Sequence, residues 1–288
     1  MSLETQRVLV IGAHPDDCDL KAGGVANKYC ANGTDVKFVS MTNGASGHHT
    51  QGGATLVQRR TQEAQNAADV AGLDYEILDN PDGALEPSLS NRRTVIELIR
   101  NYNPDLVLTH RPHDYHPDHR YTSRLVQDAA YMVTVPNVCP NTQALAQDPV
   151  IAYLSDEFQR PYKFSPDAVV AVDDVMSEKF EMLDSHTSQF YEWLPYNAEI
   201  LDTVPDDPES RRAWLQRGEL PIIADLKRVA DRFRDQLVER YGEERGQQIQ
   251  YAEAFEACEY GRPLDEVGVD VLFPFELTAT NNTALHEP

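Results

Sequence analysis

Arg7-Val8-Leu9-Val10-Ile11-Gly12-Ala13-His14-Pro15-Asp16-Asp17 is the stretch whose reading decides the fold. An apolar run of strand-like composition stops abruptly at three polar side chains that can bind a metal or move a proton. Open α/β sheets place their ligands at such strand ends. Far along the chain a second apolar run, Asp105-Leu106-Val107-Leu108-Thr109, leads through Arg111, His113 and Asp114 into His116-Pro117-Asp118-His119. Two strand-end clusters of His and Asp, each kinked by an internal proline, imply a fold that brings them together around one ion.

Outward from the first strand, periodicity predicts a helix over 20–32, a second strand over 35–41, a helix over 56–71, a third strand over 75–78 and a helix over 91–102. Gly23-Gly24 is expected to let the first helix approach the sheet closely. After the fourth strand the pattern predicts a helix over 119–132, short strands over 150–154 and 168–172, and a helix running to His186. The expected class is α/β: a Rossmann-like, mostly parallel sheet with helices on both faces and a largely helical C-terminal insertion. The spacing predicts one amphipathic helix over 222–241, with Leu226, Val229, Phe233 and Leu237 as its apolar stripe. Residues 251–255 are expected to return to the body, and the polar tail after Thr280 to fray. The chain reads as a single domain over 1–288, with about 191–250 as a helical insertion or cap near the site.

Bulk properties narrow the function. With a formal net charge of −22, the chain's field repels phosphate, which argues against nucleic acid or an anionic membrane as partner. No apolar run reaches the length of a membrane span. The first residues have neither the basic head nor the apolar middle of a signal peptide, so a cytoplasmic location is the expectation. The four cysteines lack a C-x-x-C pair, which argues against a disulfide framework or a cysteine zinc site. The expected partner is a small amino-sugar conjugate, and the sequence leaves room for a homo-oligomer.

A catalytic zinc site needs three protein ligands and one open position for water. His14, Asp17 and His119 would supply the three. Asp16 is then free to act as general base, and His116 to protonate a leaving group or support an oxyanion. Asp118 lies between two histidines and could fix the imidazole of one of them. Cys18, His48 and His49 are weaker ligand candidates. The glycine-rich loop over 42–53 is too long for a simple turn, so a functional role is expected. Arg60 and Glu63 share a helix face, where an ordinary surface ion pair is expected.

Ala13-His14-Pro15-Asp16-Asp17 and His113-Asp114-Tyr115-His116-Pro117-Asp118-His119 resemble the two signature motifs of the PIG-L/LmbE-like zinc de-N-acetylases. Thr42-x-Gly44-x-x-Gly47, Arg60-x-x-Glu63, and Lys179 with His186-x-Ser188-Gln189 also resemble family positions. The resemblance implies a Rossmann-like fold and hydrolysis of an acetamide on an amino sugar, usually one containing N-acetylglucosamine. It implies Zn²⁺, or another divalent ion, at His14, Asp17 and His119, the base at Asp16, and the acid or oxyanion role at His116. Asp19 stands where many members carry Glu, which shortens the carboxylate's reach. Arg60, Arg111, Asp114 and His186 are candidate substrate-binding residues. Either arginine could grip an anionic aglycone, or simply hold a loop through Asp114 or Glu63.

The alternative from another class is a catalytically inactive sugar-binding protein of the same fold. Such a protein has no need for a free carboxylate at Asp16 beside three ligand candidates. A nucleotide-dependent oxidoreductase or transferase is disfavoured by the absence of a G-x-G-x-x-G cradle after the first strand.

Overall fold

The computed structural model describes residues 7–275; the tail after Thr280 lies outside them. Seven strands form one sheet in the order β3-β2-β1-β4-β5-β7-β6. The strands are β1 Arg7–Gly12, β2 Asp35–Thr42, β3 Asp74–Asn80, β4 Leu106–Thr109, β5 Val150–Leu154, β6 Ala168–Ala171 and β7 Ala252–Ala257. β1 to β5 pair in parallel, whereas β7 runs antiparallel to both β5 and β6. The mostly parallel α/β sheet expected from the sequence is therefore present, and residues 251–255 do return to it.

Side chains alternate across a strand, so β1 feeds two cores. Val8 and Val10 join Phe38, Leu106 and Leu108 under helices α1 (Asp17–Ala31) and α5 (Met176–Ser185). Leu9 and Ile11 join Val39, Met41 and Val107 under α3 (Leu89–Tyr102) and α4 (Pro117–Ala130). Between these elements α2 spans Gly53–Ala71. After β1 the chain lays down β2 and β3 on one side, then crosses back to place β4 and β5 on the other. The carboxyl ends of β1 and β4 thus flank the point where strand order reverses, the usual ligand crevice of such sheets.

α1 starts at Asp17 rather than Leu20, which puts the Asp17 carboxylate on the helix's first turn. Gly24 is the glycine that permits close approach: a Cβ there would lie 2.8 Å from Val172, whereas Gly23 has only ordinary neighbours. The second half brings helices α6 (Leu194–Asn197), α7 (Pro208–Arg217), α8 (Pro221–Arg232) and α9 (Arg234–Tyr241). The single helix expected over 222–241 is thus two. Phe233, at φ −117° and ψ 33°, leaves helical geometry where its ring packs on Phe164, 5.8 Å away between centroids. Trp214, Leu215 and Ile223 join the main core, while Trp193, Leu194, Ile222 and Asp225 line a cavity above the strand ends. No helix among the described residues is long and apolar enough to cross a membrane.

Candidate active site and metal centre

The loop after β1 turns tightly, with the Asp16 amide donating to the His14 carbonyl at 2.8 Å. The backbone N–H groups of Ala13 and His14 both donate to Asp17 Oδ2, at 3.0 and 2.8 Å. At the other strand end Pro117 occupies the first turn of α4, where its missing N–H costs nothing. His116 caps that helix, its Nδ1 accepting from the Asp118 amide at 3.2 Å. His119 then points back from the first turn toward the β1 loop.

Three donor atoms converge. His14 Nδ1 lies 3.3 Å from Asp17 Oδ2 and 3.2 Å from His119 Nε2, which is 3.5 Å from Asp17 Oδ2. Donors held at about 2.0–2.1 Å from a tetrahedral ion would lie roughly 3.3–3.4 Å from one another, so the set fits zinc or a similar divalent ion. Each imidazole is braced from behind by carboxylates. His14 Nε2 stands 3.3 Å from Asp82 and 3.4 Å from Asp118, and His119 Nδ1 stands 3.1 Å from Asp114. Asp118 is itself fixed by the Gly83 and Leu85 amides at 2.7 and 3.3 Å. Carboxylate–histidine pairs of this kind orient ligands and raise their basicity.

The titratable groups around the pocket are pushed in different directions. Burial works against a charge on His14, but Asp118, Asp17 and Asp82 outweigh it and hold the imidazole protonated well above its ordinary range. A proton on His14 thus supplies positive charge beside the place an ion would occupy. Burial alone would raise Asp17, yet His119 and His110 keep it ionised well below the usual carboxylate range. Asp16 moves the other way: burial raises it, with Arg60 opposing. Burial, aided by His14 and His119, lowers His116.

Asp16 sits at the N-cap of α1, a position where an aspartate commonly bonds a backbone amide, and makes no such bond. Its Oδ1 instead accepts from Arg60 at 3.0 Å. Arg60 is buried and also reaches Asp82 at 3.9 Å and the Gly44 carbonyl at 3.4 Å. The glycines of Thr42-x-Gly44-x-x-Gly47 make this seat possible. A Cβ at Gly47 would come 2.6 Å from the guanidinium, and one at Gly44, which has φ +68°, would come 2.7 Å from it.

The remaining candidates separate. Arg60 and Glu63 do not pair: Glu63 binds Arg59 at 3.0 Å and the Ser188 hydroxyl at 2.6 Å, tying α2 to the end of α5. Arg111 reaches neither Asp114 nor Glu63; it is held by Asp156 and Glu256, each at 2.9 Å. Asp114 braces His119. His186 is fully buried against Asp19 at 3.2 Å and is not among the cavity-lining residues. Cys18 is buried against the carbonyls of Val10 and Val39, its thiol pushed well up by burial. His48 is anchored to Glu192 at 2.8 Å and accepts at Nδ1 from the Thr50 and Gln51 amides, which stitches the glycine-rich loop. His49 stacks on Tyr196.

Two site residues escaped the sequence reading. His110 stacks on His119 at 4.1 Å, with the rings 10° from parallel, and lies 3.2 Å from Asp17. Burial and the His119 charge push it down to about 4. Its signal was position, since it is the first residue after β4. Asp82 sits in Asn80-Pro81-Asp82-Gly83, which has the composition of any surface turn.

These groups open on a cavity of about 530 Å³ whose lining includes His14, Asp16, Asp17, Arg60, His116 and His119. Residues 9–130 match the PIG-L: GlcNAc-PI de-N-acetylase family. Diacetylchitobiose deacetylase of Thermococcus kodakarensis is 31% identical over 205 residues, covering 67% of this chain and 75% of that protein. A probable N-acetyl-alpha-D-glucosaminyl L-malate deacetylase 2 of Bacillus cereus is 25% identical, covering 64% and 84%. Among solved structures, N,N'-diacetylchitobiose deacetylase from Pyrococcus horikoshii superposes with a TM-score of 0.67 at 24% identity, covering 89% of this chain and 85% of that one. At that identity the likeness speaks for the fold.

Proposed function

Because the chain belongs to the PIG-L/LmbE-like de-N-acetylase family, we propose that it is a divalent-metal-dependent hydrolase removing the acetyl group from an N-acetylglucosamine-type substrate. The observation that carries this reading is the triangle of His14 Nδ1, Asp17 Oδ2 and His119 Nε2, 3.2 to 3.5 Å on its sides, opening on the same cavity as Asp16 and His116. A zinc ion bound there would polarise the acetamide carbonyl and lower the pKa of water.

The chain's own groups do the rest. Asp16, held by Arg60, takes a proton from the attacking water, and a proton is returned to the departing amine as the C–N bond breaks; acetate and the free amino sugar result. His116 has one nitrogen committed to the Asp118 amide as acceptor, so its proton sits on Nε2. That leaves Nε2–H as its donor for the developing oxyanion, whether or not the ring gains a second proton. Asp82, Asp118 and Asp114 keep the two ligand imidazoles in place, and His110 supports the His119 ring. Arg60 positions the base, and Arg111 secures the cavity wall. Residues 191–250 form part of the same domain and close one side of the cavity.

Acetate release from a panel of N-acetylglucosaminides, by protein stripped with chelator and then reloaded with Zn²⁺, tests the reading. Activity should vanish on stripping and return on reloading. Full activity in protein shown metal-free by elemental analysis would overturn it. No observation favours the binding-only alternative.

A further inference from the structure

Beyond the donor triangle the cavity continues along Lys21, Ser155, Asp156, Glu157, Ile222 and Asp225. Carboxylates outnumber Lys and Arg side chains seven to three among its lining residues, an excess that one divalent ion does not reverse. Both guanidiniums are already engaged: Arg60 by Asp16, and Arg111 by Asp156 and Glu256. Each is buried, so neither can swing toward a ligand without leaving a carboxylate unpaired.

Lys21 is different. It stands one helical turn after Asp17, forms no ion pair within 4 Å among the described residues, and gives one hydrogen bond, to the Ser155 carbonyl at 3.1 Å. An ammonium has three N–H groups, so donors remain for a ligand. Asp225, another lining residue, pairs with Arg228 at 2.6 Å, but Arg228 is 62% exposed and does not line this cavity. Glu157 is 60% exposed and lies 4.0 Å from the same arginine. Tyr115, 73% exposed, and the partly buried Phe158 and Trp193 add aromatic surface to the walls.

We propose that this outer half selects an uncharged or cationic hydroxyl-rich unit attached to the amino sugar and turns away anionic ones. Lys21 is the hydrogen-bond donor, and Asp225 and Glu157 are the discriminating acceptors. A hydroxyl can accept from Lys21 and donate to a carboxylate at once, whereas an anion satisfies the first and is repelled by the second. The chain's net charge of −22 acts in the same direction. This inference rests on the deacetylase reading and extends it to substrate choice.

The test uses four N-acetylglucosaminides: the methyl glycoside, a neutral disaccharide, one extended by an amino sugar and one extended by a carboxylate. For the zinc-loaded protein at low salt, kcat/KM on the neutral and cationic extensions should exceed that on the anionic one by about tenfold or more, the gap shrinking as salt rises. Glu157→Gln with Asp225→Asn should narrow the gap. Lys21→Met should raise KM for the neutral disaccharide more than it lowers kcat. An anionic extension favoured over the neutral one, or a gap indifferent to the carboxylate variants, would overturn the proposal. Calorimetric titration of the same ligands into metal-free protein keeps the two readings apart. If no member releases acetate, the deacetylase reading falls, and the order of binding affinities still decides the charge preference.

Discussion

Two charge clusters lie against α1, one at its start and one along its middle, and behave oppositely. At its start, Asp16, Asp17, His14 and Arg60 face a cavity, with donors crowding one another at ion-pair distances. Along its middle, Lys179 gives hydrogen bonds to Glu253 at 2.6 Å and to the Leu20 carbonyl at 2.8 Å, while Glu253 accepts from the Gly24 and Val25 amides at 2.8 and 2.7 Å. The side chains of His14, Asp17 and Asp16 are 12–16% exposed and those of Lys179 and Glu253 2–4%, so burial separates function from scaffold only weakly. Saturation separates them further. The Lys179 cluster satisfies its own charges and fixes α1 to β7, whereas the donor atoms of His14, Asp17 and His119 converge on one point at the cavity.

The largest expected difference comes from swapping single atoms. Asp16→Asn should retain bound zinc and reduce turnover by about two to four orders of magnitude, since a positioned base is lost while the three ligands remain. Metal content and turnover measured on the same preparation decide it; zinc lost from Asp16→Asn as fully as from His119→Ala would place Asp16 among the ligands. In the saturated cluster the cost should fall on stability instead. Lys179→Ala leaves Glu253 buried without its cation, and about 3–5 kcal/mol should be lost in urea unfolding. If Lys179→Ala unfolds normally yet impairs catalysis, the contrast between the clusters collapses.

Asp118→Asn should lie between these extremes, weakening zinc affinity by about 10- to 100-fold through a less well oriented His14. A competing chelator measures it. The smallest effect concerns pH. The folded-state pKa of His14 is raised, so its contribution to the metal-free fold is complete below about 6.5 and is lost as pH rises through the raised value. Asp82, Asp114 and Asp118 are lowered, so theirs is present above about 4 and lost in acid. Metal-free protein should therefore resist urea better near pH 6 than near pH 9. Zinc must displace the His14 proton, so apparent affinity should climb by about tenfold per pH unit while that proton is bound. An affinity that stays flat as pH rises above about 6.5 would show that His14 carries no such proton.

The strand ends were legible because buried parallel strands leave continuous apolar runs, and because polar side chains crowding the stop of such a run have few structural excuses. What stayed hidden depended on partners distant in sequence. Asp82 reads as a turn residue until Ser46, Arg60 and His14 surround it. His110 reads as the end of a strand until His119 folds over it. Arg60 carries no mark of its pairing with Asp16, because a helix pattern places it beside Glu63 with equal ease. The break at Phe233 is likewise invisible to the apolar spacing, which suits one helix; it coincides with the ring's seat on Phe164.

β7 has a consequence for how the protein is made. Every proposed ligand, base and brace lies between His14 and His119, on the loops and helix starts that follow strands β1 to β4, each of which pairs with a strand already made or the next one made. β6 waits for a partner that begins only at Ala252, and β5 offers the growing chain an uncovered edge until then. On the ribosome the proposed ligand set is thus made long before the sheet is complete, and during that interval the hazard is edge-to-edge association rather than a missing ligand. A chain interrupted just short of β7 would keep every proposed ligand side chain and still be the form most prone to aggregate.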